Sequence, residues 1–224
     1  MPRLTTPNLL TLLRLASTPV FLALFLTPPW PGEGALALGE PFEPGVLRLA
    51  LALALAIASE ISDGLDGHLA RKRKEVSDFG KLMDPYADSL FRLTCLFSFA
   101  SVRYGWIPLW CVMVLLYRDI LVSITRTFAV KKGVVIAARF SGKAKAVSQA
   151  AAIISLLVVG LWQAIRDGGA WNVAGLGHVF GYILVGTSLA SLVDYLRANR
   201  RVFAEEGAPA PDGEGGTPEH DPHG

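Results

Sequence analysis

Apolar residues run along this chain in six blocks, at roughly 9–26, 46–69, 80–102, 107–130, 144–165 and 173–196. Each approaches the roughly 20 residues that carry an α-helix across a bilayer. The breaks between them are chemically distinct. "TPPWPGEG" closes the first block and "YGWIP" divides the third from the fourth, and no regular helix continues through such Pro- and Gly-rich segments. The pattern predicts an all-α membrane protein with six transmembrane helices over residues 1–201, followed by a Gly/Pro/acid-rich tail, 202–224, with little to bury.

Positive charge sorts to alternate breaks. Arg71 to Lys74 follow the second block; Lys131, Lys132, Arg139, Lys143 and Lys145 lie between the fourth block and the head of the fifth; Arg197, Arg200 and Arg201 close the sixth. The other breaks hold Glu33, Glu40 and Glu43, then Arg103, then Arg166 with Asp167. Basic loops stay on the cytoplasmic side, so both termini are expected there, which agrees with an even number of crossings. Arg14 interrupts the first block and no small-residue cleavage pattern follows it, so that block is expected to be a retained helix rather than a signal peptide.

Composition sharpens the picture only slightly. The chain of 224 residues is 52% hydrophobic and 18% charged, against roughly 25% charged in soluble domains. The net charge of +2 is too small to imply a nucleic-acid partner. Cys95 and Cys111 both fall inside apolar blocks and read as small buried residues, not as a disulfide or zinc framework.

The candidate chemistry lies in "SDGLDGHLARKRKEVSDFGKLMDPYADS", residues 62–89. Asp63, Asp66 and Ala70 share one helical stripe; Gly80, Asp84 and Asp88 share another on the next helix. A short polar connector makes those helices antiparallel neighbours with their acidic stripes facing. Unpaired carboxylates cost on the order of 3 kcal/mol each near a bilayer centre. Divalent cations between them would offset that cost, and an all-oxygen donor set suits Mg²⁺ or Mn²⁺ rather than zinc. Gly67 lets a bulky phosphate approach the backbone, and Arg71, one turn beyond Gly67, can fork onto phosphate oxygens. Metals, a glycine gap and an arginine together describe a phosphate-transfer site.

Asp63-x-x-Asp66-Gly67-x-x-Ala70-Arg71, then eight residues, then Gly80-x-x-x-Asp84-x-x-x-Asp88 resembles the full signature of the CDP-alcohol phosphatidyltransferase family. The resemblance implies two metal ions held by Asp63, Asp66, Asp84 and Asp88, with Asp88 also the base that deprotonates the acceptor alcohol. It implies a CDP-lipid lying along Asn8, Thr11, Gly67, Arg71 and Ser77, attack on the lipid-bearing phosphorus, departure of CMP, and a homodimer.

Residues 117–149, "YRDILVSITRTFAVKKGVVIAARFSGKAKAVSQ", add a second basic set. Arg118, Arg126, Arg139, Lys143 and Lys145 could hold an acceptor that carries its own phosphate, although Arg118 with Asp119 also reads as a structural pair. This stretch and the opening "PNLLTLLRLASTPVF" resemble the bacterial phosphatidylglycerophosphate synthases of the family. The implied donor is CDP-diacylglycerol, the acceptor sn-glycerol 3-phosphate, and the location a multi-pass protein of the bacterial cytoplasmic (inner) membrane. Those synthases usually carry Lys where this chain has Ser89, a departure that keeps inositol phosphate, serine and cardiolipin-forming acceptors in play. Outside the family, the same carboxylates could serve a divalent cation transporter, which leaves Gly67 and Arg71 unexplained, or an inactive scaffold. Arg14, Arg103, Arg197, Lys72, Arg73 and Lys74 read as snorkelling or topology residues. His68 reads as lying beside the site, and Asp78 as the cap of the third helix.

Overall fold

The computed structural model describes residues 6–27, 45–73, 78–101, 104–131, 140–167 and 173–200; for 6–10, 26, 63–73, 78–85, 130–131 and 167 it describes the backbone alone. These residues form six α-helices and no strand: α1 Thr6–Leu26, α2 Val46–Arg73, α3 Asp78–Ala100, α4 Leu109–Lys131, α5 Phe140–Asp167 and α6 Ala174–Ala198. Each matches one apolar block. α2 runs on to Arg73 and α5 starts back at Phe140, beyond the apolar stretches themselves, because residues such as Ala, Lys and Arg favour helix as strongly as the apolar ones. The expected tail, 202–224, lies outside the described residues.

The helices close into a ring. α1 packs on α2, α2 on α5, α5 on α6, α6 on α4, α4 on α3, and α3 back on α1, with α3 also touching α5 across the middle. Side-chain pairings give the directions. Arg14 approaches Ser62 while Arg48 reaches Leu24, so α1 and α2 are antiparallel. Ser89 with Asp119 and Tyr86 with Ser123 show the same for α3 and α4, as do Ser141 with Asp194 and Ser148 with Thr187 for α5 and α6.

One end of the bundle is built from rings. Phe21 stacks on Phe25 at 5.0 Å, and Phe99, Tyr104 and Trp106 close round them in mainly edge-to-face contacts. All five are buried, and such pairs add about 0.5–1.5 kcal/mol each beyond area burial. The turn between α3 and α4 needs Gly105, whose φ of +57° disfavours other residues. α6 seats on that turn through Gly177, where an added Cβ would stand 2.0 Å from the Trp106 carbonyl oxygen. Arg48 is fully buried beside this cluster and donates from Nη1 to the Leu24 carbonyl at 2.7 Å, satisfying the end of α1. Cys95 and Cys111 are both free and buried, as their setting in apolar blocks implies.

α5 over Phe140–Arg166 and α6 over Ala174–Ala198 are long and apolar enough to cross a membrane, and Thr11–Phe25 forms a shorter apolar stretch in α1. α2, α3 and α4 carry charges such as Glu60, Arg92, Arg118 and Asp119 within their length. Hydropathy alone therefore does not single them out as crossings.

Candidate active site

At the opposite end from the aromatic cluster, Asp88 sits on α3 between two arginines. Arg14, from α1 and only 3% exposed, donates from Nη1 to Asp88 Oδ1 at 2.6 Å. Arg92, one turn further along α3, lies 3.9 Å from Asp88 Oδ2. Arg92 in turn grips Glu60 of α2 through two parallel bonds of 2.9 Å, from Nε and Nη2. A bidentate pair of this kind fixes orientation as well as charge. Nη2 of Arg14 also lies 3.5 Å from Ser62 Oγ, the residue before Asp63. Arg14 of α1 thus bridges α2 and α3, which the sequence expected to pack directly on each other but which α1 links instead, each helix packing on α1.

A second charged knot begins at the next residue. Ser89 Oγ donates to Asp119 Oδ2 at 3.1 Å. Lys145 Nζ, from α5, donates to both oxygens of the same carboxylate at 2.6 and 2.8 Å. Arg118 adds a bond from Nη1 to Asp119 Oδ1 at 3.0 Å and one from Nη2 to Ser191 Oγ of α6 at 2.6 Å. The Asp119 side chain keeps only 10% of its exposure. Every helix of the ring thus contributes to one belt of buried polar contacts, the condition under which charge is tolerated inside an apolar bundle.

Beside this knot a cavity of about 760 Å³ opens between α3 and α4. Ser89, Arg118, Asp119 and Arg126 supply polar groups to its lining, and most of the remaining wall is apolar, including Leu90, Leu93 and Phe128. Arg118 Nε is buried with no hydrogen-bond partner among the described residues. Buried donors without partners are uncommon and point to a missing acceptor. Gln149, one turn from Lys145 on α5 and only 1% exposed, has its Nε2 in the same condition.

The residues singled out by sequence now have places. Asp63, Asp66, Gly67 and Arg71 lie on the last turns of α2, and Asp84 on the first turns of α3; their side chains, like that of Asn8 on α1, are outside the described set. Ser77 and Arg139 lie outside the described residues altogether. Asp78, expected to cap α3, is its first helical residue instead, one position past the cap. Thr11 is buried on α1, one turn before Arg14. Arg118 and Arg126 both line the cavity, Lys145 is buried against Asp119, and Lys143 is exposed at the start of α5. Of the four carboxylates expected to hold metal, Asp88 has a described side chain, and it is paired with Arg14.

Arg14 corrects its sequence reading. It does not snorkel to an interface but is buried on Asp88, because a charge this deep must be paired. Glu60, Arg92 and Asp119 also escaped selection as site residues. Their signal was the same: ionisable groups inside apolar blocks.

The profile of the family described as CDP-alcohol phosphatidyltransferase matches residues 4–189. A Streptomyces coelicolor protein named cardiolipin synthase (CMP-forming) is 36% identical over 190 residues, 82% of this chain and 75% of the relative. The CDP-diacylglycerol–glycerol-3-phosphate 3-phosphatidyltransferase of Bacillus subtilis is 37% identical over 153 residues, 68% of this chain and 76% of the relative. A plant protein of that same name, numbered 2 in Arabidopsis thaliana, is 31% identical over 216 residues, 91% and 83% of the two chains.

Proposed function

The chain belongs to the CDP-alcohol phosphatidyltransferase family, and on that premise we propose that it transfers the phosphatidyl group of CDP-diacylglycerol to sn-glycerol 3-phosphate. The products are phosphatidylglycerol phosphate and CMP. The observation that carries the acceptor choice is the knot next to Asp88: Arg118 and Arg126 line one cavity, and Lys145 is bound to Asp119 in the same wall's buried backing. An acceptor that brings its own phosphate needs them; serine does not.

Asp88 accepts the proton of the acceptor hydroxyl, and the resulting oxygen attacks the phosphorus that carries the diacylglycerol. The bond to the CMP oxygen breaks as the new ester forms. Arg14 and the Arg92–Glu60 pair hold the Asp88 carboxylate on α3 while this happens. Two Mg²⁺ or Mn²⁺ ions held by Asp63, Asp66, Asp84 and Asp88 would neutralise the diphosphate and the charge that develops on it. Gly67, Arg71 and Ser77, with Asn8 and Thr11 of α1, line the path of the CDP-lipid. Arg139 and Lys143 are the further cations assigned to the acceptor phosphate in this reading.

In this reading all six helices cross the bacterial cytoplasmic membrane with both chain ends in the cytoplasm, as residues 1–201, and 202–224 form a separate tail. The large apolar residues exposed on the helices support it: Val20 on α1, Leu47 on α2, Leu90 on α3, Leu121 on α4, Val158 on α5 and Ile183 on α6. The charges that lower the hydropathy of the middle helices face each other in pairs.

A second reading has one observation behind it. Much of the cavity wall is apolar, and a lipid alcohol, phosphatidylglycerol, would use that wall to give cardiolipin, the product named for the Streptomyces relative. Product analysis separates the two. Purified protein receives CDP-diacylglycerol and Mn²⁺ with glycerol 3-phosphate, inositol phosphate, serine or phosphatidylglycerol, and the lipids are identified by mass spectrometry. Phosphatidylglycerol phosphate is expected. Cardiolipin alone, or turnover only with inositol phosphate, overturns the first reading.

A further inference from the structure

Asp119 is placed as a distributor of hydrogen bonds. Its carboxylate receives Lys145 twice, Arg118 once and Ser89 once, so donors from α3, α4 and α5 are fixed to one buried group. The inventory of what remains is informative. An ammonium has three N–H donors and a guanidinium five. Lys145 directs its Nζ to both Asp119 oxygens. Arg118 uses Nη1 on Asp119 and Nη2 on Ser191, and its Nε–H has no partner among the described residues. With both ends of the guanidinium tied, the plane of Arg118 is fixed and the unpartnered Nε cannot rotate away to find another acceptor. Arg118, Asp119, Ser89 and Arg126 all belong to the wall of this cavity.

We propose that Asp119 is a positioning residue for the acceptor: anchored by Lys145 from behind the cavity wall, it holds Arg118 so that Arg118 Nε meets an anionic phosphate oxygen in the cavity. Asp119 does not touch the reacting atoms. It also removes one unit of positive charge from the knot, so Arg118 and Lys145 coexist without mutual repulsion when the cavity holds no anion. Ser89 belongs to the same device. It follows Asp88 directly, so its bond to Asp119 sets the distance between the proposed base and the anion-holding cation. This inference rests on the phosphatidyl-transfer reading for the identity of the ligand, and on geometry alone for the role of Asp119.

The test compares wild type with Asp119→Asn, Asp119→Glu and Ser89→Ala. Initial rates are measured against glycerol 3-phosphate and CDP-diacylglycerol separately, and equilibrium binding of glycerol 3-phosphate is titrated on the detergent-solubilised protein. Asp119→Asn keeps the shape and removes the charge. Its KM and Kd for glycerol 3-phosphate should rise roughly tenfold to a hundredfold, the scale of a charge-assisted hydrogen bond, while KM for CDP-diacylglycerol stays at the wild-type value. Asp119→Glu should recover part of the loss, and Ser89→Ala should raise the acceptor KM by about threefold. Should Asp119→Asn fail to fold, the Ser89→Ala and Asp119→Glu values decide. A fall in kcat with an unchanged acceptor KM, an equal rise in both KM values, or no change in any of them overturns the inference. The functional reading fails differently: wild type would then form no phosphatidylglycerol phosphate, and Asp119 would be judged on Kd alone, with absence of wild-type binding counting against it.

Discussion

The two ends of this bundle are held together by opposite means. Around Phe21, Phe25, Phe99, Tyr104 and Trp106 the helices meet through rings, and the cohesion is dispersion and shape. Around Asp88 and Asp119 they meet through ion pairs, which in an apolar interior recover in Coulomb energy roughly what desolvation costs. A bundle selected only for stability would use rings throughout. In the proposed function the charged end is the one that acts on the substrate, and the aromatic end supplies the rigidity behind it.

Three substitutions sharpen that comparison. The largest effect belongs to Asp88→Asn, which should lower phosphatidyl transfer by on the order of a thousandfold or more and, because it breaks the buried pair with Arg14, also lower the melting temperature in detergent. Turnover within about tenfold of wild type would take Asp88 out of the chemistry. Arg14→Met comes next. It leaves the Asp88 carboxylate without its 2.6 Å partner, and breaking a buried pair costs about 3 kcal/mol or more. A clear drop in melting temperature is expected together with slower turnover, both partly restored in Arg14→Lys; an unchanged melting temperature would mean that the pair carries no structural weight. The smallest effect is Phe99→Leu at the aromatic end, about 1–2 kcal/mol of stability with turnover per folded molecule unchanged. If that substitution slowed catalysis while sparing stability, the division of labour between the ends would be wrong.

The sequence made the helices easy to read, because apolar blocks and Pro/Gly breaks are local features. The acidic stripes of α2 and α3 were equally legible, since spacing within one helix determines which residues share a face. Contacts between helices were not. Arg14 and Asp88 stand 74 positions apart, and no local rule says that α1 lies against α3. The same blindness hid Arg92 with Glu60 and the approach of Ser89 and Lys145 to Asp119, whereas the Arg118–Asp119 pair, adjacent in the chain, was legible. In hindsight the clue was energetic rather than periodic: a lone Arg, Glu or Asp within an apolar block must have a partner, and the number of such residues foretold a connected belt. On the proposed six-crossing reading, hydropathy passes over α2, α3 and α4 for the same reason, as it counts each charge as if it were exposed to lipid.

Arg48 bears on how the protein enters its membrane. Its guanidinium is sealed from solvent and satisfied by the carbonyl end of α1. On the proposed six-crossing reading, inserting α2 before that end is in place would leave a bare cation in hydrocarbon. That reading therefore expects the first two helices to enter the membrane together as a hairpin.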